Sequence, residues 1–253
     1  YWGVATSPLV INDRLYVHFG DDEKGFLAAL DVETGREIWR HGKDGAAYAS
    51  PLFAEFGGVR QIVEWNHEDL LGVEIQSGQL LWKYHLPHRG SNQNMPTPTI
   101  HNGHVLVGGE NRGTRSVHPH IKEGKWVVTE KWHQKRASLD MSTAVINNGQ
   151  LYGMTHHSLG RLFCIDTESG NIIWQGPSRV GQNVAFLSIP GYIVALLDHG
   201  QLQIIEAKGA ESKKVAEYKV ADRPTWSAPV LLKNGILIKD RQELIRWSFT
   251  KTK

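Results

Sequence analysis

Gln93, Asn94, Asp140, Arg179, Gln182, Asn183 and Trp226 stand in the connections that lead from one strand-like run into the next. Connections of that kind carry binding and catalysis more often than the elements they join. Carboxylate and amide oxygens are the donors that hold a hard cation such as Ca²⁺, provided several converge on one loop face. Asp140 has the chemistry of a base, and Trp226 that of a stacking platform. His118 and His120 flank Pro119, and residues two apart in a strand point to the same side. Such a pair can hold Zn²⁺ or Cu²⁺ if a third ligand approaches. The plainer reading of each is that the polar groups solvate a channel or close turns, and that the imidazoles are solvated or satisfied in the core.

Other chemistries find no support. Cys164 is the single cysteine, so no intramolecular disulfide and no cysteine-rich metal site can form. No Gly-x-Ser-x-Gly elbow is present, and no glycine-rich loop follows a strand and opens a helix. With 28 basic and 26 acidic side chains the net charge is +2, and no basic run points to nucleic acid. Lys208, Lys213 and Lys214 flank a turn and read as a solvated loop. The longest apolar stretch, residues 184–197, is broken by Ser188, Pro190 and Gly191, so no transmembrane segment is expected. Thirteen histidines are scattered, including the adjacent His156 and His157 in a loop.

The elements that must position these residues announce themselves by repetition. Residues 29–39 read Ala-Leu-Asp-Val-Glu-Thr-Gly-Arg-Glu-Ile-Trp, and residues 72–82 and 164–174 repeat the pattern. Each copy predicts a strand, a tight turn and a return strand. Apolar residues alternate with polar ones, and Gly35, Gly78 or Gly170 supplies the positive φ of the turn. Asp31, Glu74 and Asp166 are placed to accept hydrogen bonds from turn N–H groups. The copies end on Trp39, Trp82 and Trp174, spaced by 43 and then 92 residues, the latter room for two units. That period matches a propeller blade of about 40–45 residues. With Trp132, these indoles are expected to dock between neighbouring sheets, whereas Trp2, Trp65 and Trp226 fall outside the register.

A second recurrent phrase, Ser-Pro-Leu or a close variant, opens each unit at Ser7, Ser50, Thr97, Ser142 and Ser227. Pro suits the start of a strand because it removes an N–H from the ladder. The two phrases together predict an all-β chain, a β-propeller of four-stranded antiparallel blades forming a single domain over 1–253. Its six units span about 7–41, 50–84, 97–132, 142–174, 185–218 and 227–249. The third is degenerate and closes on Trp132. Tyr218 stands near the Trp position of the fifth, and the sixth lacks its last strand.

The phrase at residues 29–39 resembles the tryptophan-docking repeat of the quinoprotein alcohol dehydrogenase-like propellers. The chain is most similar to PQQ-binding-like β-propeller repeat proteins and more distantly to the BamB-type lipoprotein of outer-membrane assembly. Residues 2–10, 56–63 and 94–98 add to the likeness. Relatives generally carry seven or eight blades behind a secretion signal. The resemblance therefore implies an extracytoplasmic, periplasmic protein, and the chain starts at Tyr1 without a leader. Either one or two N-terminal blades belong upstream, or six blades close as they stand. Two functions follow. The first is a non-catalytic scaffold that presents loops to a protein or small-molecule ligand, with no cofactor. The second is a pyrroloquinoline-quinone-dependent dehydrogenase using PQQ with Ca²⁺, or a quinone-binding remnant of one. The enzymes of the superfamily commonly hold their quinone against a disulfide between adjacent cysteines, which a lone Cys164 cannot form.

Overall fold

Alternation of apolar and polar residues, interrupted every few residues by Gly, Asn or Asp, leaves the backbone one economical solution, the antiparallel meander. A computed structural model describes residues 5–90 and 93–249 and shows that solution six times. Trp2 lies outside the described residues. Five sheets have four strands and the sixth has three, with sequence neighbours paired throughout. No helix occurs among the described residues. The chain divides into two compact units, one ending at His133 and the other starting at Gln134.

The first unit holds three sheets. Blade 1 is β1 (Leu9–Ile11), β2 (Arg14–Gly20), β3 (Gly25–Asp31) and β4 (Glu37–His41). Blade 2 is β5 (Leu52–Phe56), β6 (Val59–Trp65), β7 (Asp69–Glu74) and β8 (Leu80–His85). Blade 3 is β9 (Thr99–His101), β10 (His104–Gly108), β11 (Thr114–Lys122) and β12 (Lys125–Gln134). Successive residues of a strand face opposite sides, and blade 2 uses both. Ile62 joins Tyr16, Leu27 and Trp39 in the core shared with blade 1. Val63, the next residue, joins Trp82, Val105, Val107 and Val117 in the core shared with blade 3. A strand covered on both faces explains why β6 and β7 are buried along most of their length, the polar Gln61 and Glu64 included.

The opening phrase has a job that the sequence alone does not show. Ser7 donates its backbone N–H to Ser50 Oγ at 2.9 Å, and Ser50 donates its own to Thr97 Oγ1 at 3.1 Å. Each hydroxyl thus links the start of one blade to the start of the blade before it. The closing phrase links blades at the other end. Trp39 donates its indole N–H to Ile75 O in blade 2 at 3.2 Å. Its ring lies against Gly78, where an added Cβ would come within 2.6 Å of it.

The second unit also holds three sheets. Blade 4 is β13 (Val145–Asn147), β14 (Gln150–Thr155), β15 (Arg161–Asp166) and β16 (Ile172–Ser178). Blade 5 is β17 (Val184–Ile189), β18 (Tyr192–Leu197), β19 (Gln201–Glu206) and β20 (Lys214–Lys219). Blade 6 is β21 (Val230–Leu232), β22 (Gly235–Lys239) and β23 (Leu244–Ser248). Trp174 packs with Tyr152, Val184, Phe186 and Ile193 between blades 4 and 5. Val194, Leu196 and Leu202 pack with Ile236 and Ile238 between blades 5 and 6.

Two blades depart from the repeat in detail. In blades 1, 2 and 4 the Trp pairs with a small residue, Ala29, Gly72 or Cys164, just before a register shift. In blade 5 the same place pairs Ile204 with Ala216, so Ala216 occupies the Trp position. Tyr218 is two residues further along and 57% exposed. In blade 3 the acid-to-Gly turn is replaced by a two-residue turn at Glu123 and Gly124, both with positive φ. That conformation matches the twist of a tight hairpin and lets β11 and β12 run long.

Candidate functional site

Blade 2 is built differently at its two ends. At the Gly78 end, Glu74 accepts hydrogen bonds from the N–H groups of Gln76 and Ser77 and from Ser77 Oγ. Asp31 and Asp166 do the same in their own turns. These carboxylates close hairpins. At the opposite end, Asn66 Oδ1 accepts from Glu68 N at 2.9 Å and Asp69 N at 2.8 Å, closing the turn from β6 into β7. Asp21 and Asp240 close the corresponding turns of blades 1 and 6. In blade 2 the turn presents His67 and Glu68.

The ladder between β7 and β8 continues past the strands. Leu86 N donates to Glu68 O at 3.1 Å and His88 N to His67 O at 2.9 Å. Backbone pairing therefore places His67 and His88 side by side although 21 residues separate them. Their rings are parallel, with centroids 3.5 Å apart and planes 2° from coincident. His67 is 7% exposed, and its Nε2 has no hydrogen-bond partner among the described residues. His88 and Glu68 are partly open, with His88 Nδ1 3.9 Å from Glu68 Oε1. Burial, then the facing His88, holds His67 below the ordinary histidine range, although the nearby Gln93 side chain acts the other way.

Two buried side chains brace this end. Asn94 is 0% exposed, and its amide donates to Asn66 O at 2.6 Å and, at 3.4 Å each, to His67 O and Leu86 O. Its Oδ1 accepts from Arg112 at 2.7 Å, and Arg112 also donates to Pro87 O at 2.6 Å. Asn94 O accepts the N–H groups of Tyr48 and Ala49. Arg112 lies 5.1 Å above the Trp65 ring, and burial lowers its pKa to about 10. Gln93, half-buried, gives its backbone O to Arg112 at 3.5 Å. Gln93 and Asn94 thus share one neighbourhood, in which Asn94 clamps the loops together.

In the second unit, Asp140 is buried with His156 Nδ1 at 3.5 Å. Asn183 is buried, and its Oδ1 accepts from Ser142 Oγ at 2.6 Å. Ser142 Oγ in turn accepts from Val184 N. Gln182 is exposed and donates its backbone N–H to Asp198. Arg179 is exposed at φ 65°. Trp226, 51% exposed, borders a pocket of about 470 Å³ with Pro224, Ser227, Lys239, Asp240 and Arg241.

Two of the amides that could serve a quinone held with Ca²⁺ are already engaged. Asn94 and Asn183 commit their side chains to backbone and hydroxyl partners, and Cys164 is fully buried in β15. Burial raises that thiol to about 12, so it stays protonated and unreactive. His118 and His120 do lie on one side of β11, stacked at 4.7 Å, with His104 stacked on His118 at the same distance. No third carboxylate, Cys or His closes around them as a ligand set among the described residues.

The sequence reading passed over His67, Glu68, His88, Arg112, and a buried pair between His18 and Glu64. The available signal was Asn66 in a hairpin turn, followed by the histidine-rich exit of the same hairpin at His85 and His88. Blade periodicity hides it, because single residues of these types recur at that turn, Glu23 in blade 1 and His199 in blade 5, and only the combination with His88 sets blade 2 apart.

Comparison with known proteins agrees with this architecture. The family described as "Outer membrane protein assembly factor BamB" matches residues 2–176. The chain is 21% identical over 242 residues to the Outer membrane protein assembly factor BamB of Yersinia pestis. That alignment covers 92% of this chain but 58% of the relative, so the chain spans under two thirds of its length. The crystal structure of BamB from Moraxella catarrhalis superposes with a TM-score of 0.68 at 13% identity, covering 96% of this chain and 71% of that one. Quinohemoprotein alcohol dehydrogenase from Comamonas testosteroni gives 0.55 at 15% identity, over 87% of this chain and 43% of that one. The fold is a β-propeller of PQQ-like repeats.

Proposed function

The chain belongs to the family described as outer membrane protein assembly factor BamB, and from that premise we propose that it is a non-catalytic scaffold for outer-membrane protein assembly. It works outside the cytoplasm and binds a protein partner through the loop ends of its blades. The family match over residues 2–176 carries this reading. The loop chemistry supports it: Asn94, Arg112 and Asn183 stiffen connections and are not poised around a reacting group. Stiff connections lower the ordering cost of docking a partner.

The test pairs two assays on the purified chain. Saturable binding to a component of the outer-membrane assembly machinery is expected by biolayer interferometry. Added pyrroloquinoline quinone and Ca²⁺ are expected to give no dye reduction with alcohols. Stoichiometric quinone binding with turnover overturns the scaffold reading.

A further inference from the structure

We propose that His67, Glu68 and His88 form a site for a borderline divalent cation of the Zn²⁺ class. One ligand atom from each lies within 4.8 Å of the other two. Two imidazoles and one carboxylate are the donor types that Zn²⁺ takes, with nitrogen at about 2.0–2.1 Å. The second observation is independent of the clustering. His67 is 7% exposed, and its Nε2 makes no hydrogen bond of ordinary geometry among the described residues, with the Gln93 side chain nearby. A buried polar atom left unmatched in a folded protein calls for an explanation, and an ion at that nitrogen supplies one.

The surroundings suit the role. Asn66 holds the turn that carries His67 and Glu68, and Asn94 ties that turn to Leu86 beside His88. The ligand backbones are therefore fixed before any ion arrives. Glu68 contributes the negative charge that two neutral imidazoles lack. The rings are stacked face to face, so loading turns the partly exposed His88 about its χ2 until the two nitrogens converge. Three protein ligands leave one coordination position open, to water or to a group from a bound partner.

The experiment titrates the EDTA-stripped chain with Zn²⁺ by calorimetry and with Co²⁺ by visible absorption. His67→Ala risks the buried turn, so the diagnostic variants are His88→Ala and Glu68→Gln. The pair His118→Ala and His120→Ala serves as the control. The expected result is one equivalent of metal and a Co²⁺ ligand-field band from imidazole coordination. Both diagnostic variants weaken binding beyond the ~10–100-fold that outer-shell losses cause, and the control pair leaves it unchanged. Absence of saturable binding overturns the site, as does affinity unchanged in both diagnostic variants or lost in the control pair. Each readout is independent of any assembly partner.

Discussion

The two ends of blade 2 were assembled under different demands. At the Gly78 end, Glu74, Ser77, Gly78 and Trp82 repeat residue types found at the same places in blades 1 and 4, and each has a structural partner. At the Asn66 end the turn acceptor is shared with blades 1 and 6, and single residues of the same types recur at that turn, Glu23 in blade 1 and His199 in blade 5, but the combination of His67, Glu68 and His88 belongs to blade 2. The repeated end holds neighbouring sheets together, whereas the unique end is braced by Asn94 and Arg112 and leaves polar groups facing outward. Repetition therefore marks what the fold needs. Departure from it marks where a blade is free to do something else.

The contrast can be broken most forcefully at Trp82. It is 3% exposed, lies over Gly72, and donates to Gln61 Oε1 at 2.6 Å. Trp82→Ala is expected to cost about 3–5 kcal/mol in urea unfolding. A loss below 1 kcal/mol would remove the indole from the seam between blades 2 and 3.

Arg112→Met comes next, because it strips charge-assisted bonds from Asn94 and Pro87 O. The expected loss is about 1.5–3 kcal/mol in the same assay. A variant as stable as the parent would show that Asn94 holds the loops without it.

Two glycines of one phrase sharpen the comparison. Gly35 and Gly78 both have positive φ, at 68° and 71°. Around Gly35 an added Cβ meets nothing within 4 Å, whereas at Gly78 it meets the Trp39 ring. Gly35→Ala should cost only the left-handed backbone penalty, about 1–2 kcal/mol, and Gly78→Ala measurably more. Equal losses would mean that Trp39 does not rest on Gly78.

The smallest effect concerns pH. His18 and Glu64, each 3% exposed, are hydrogen-bonded between blades 1 and 2, and the other His18 nitrogen faces Asp44 O at 3.1 Å. Both nitrogens face acceptors, so only the imidazolium can donate to both. Burial pulls the His18 pKa down, but the Glu64 hydrogen bond and charge outweigh it, and the net shift is upward. A raised folded pKa contributes stability that is complete below the unfolded value of about 6.5 and fades as pH rises through the folded one. The melting temperature should therefore fall with rising pH across that window, and Glu64→Gln should flatten the slope. An identical slope in the variant would contradict the pairing.

Much of the fold was legible because the physics is local. Alternation gives strands, Gly gives turns, and an acid four residues before Gly closes them, as Asp31, Glu74 and Asp166 do. The site was less legible because it depends on which strands pair. Nothing in the spacing of His67 and His88 brings them together until β7 and β8 are zipped past their ends. An amide in a loop has the same letter whether it faces solvent or, as Asn94 does, three carbonyls. The Trp place of blade 5 falls on Ala216, two residues before Tyr218, because a bulge moves the register by steps that a linear period does not count.

The central claim is that the ends of blade 2 carry separable tasks, and the melting temperature of the EDTA-treated His88→Ala, Glu68→Gln double variant tests it directly. The account predicts a melt within about 0.5 kcal/mol of the parent, the range of substitutions that break no structural device. A loss as large as that of Trp82→Ala would show that the unique end is also part of what holds the blade together.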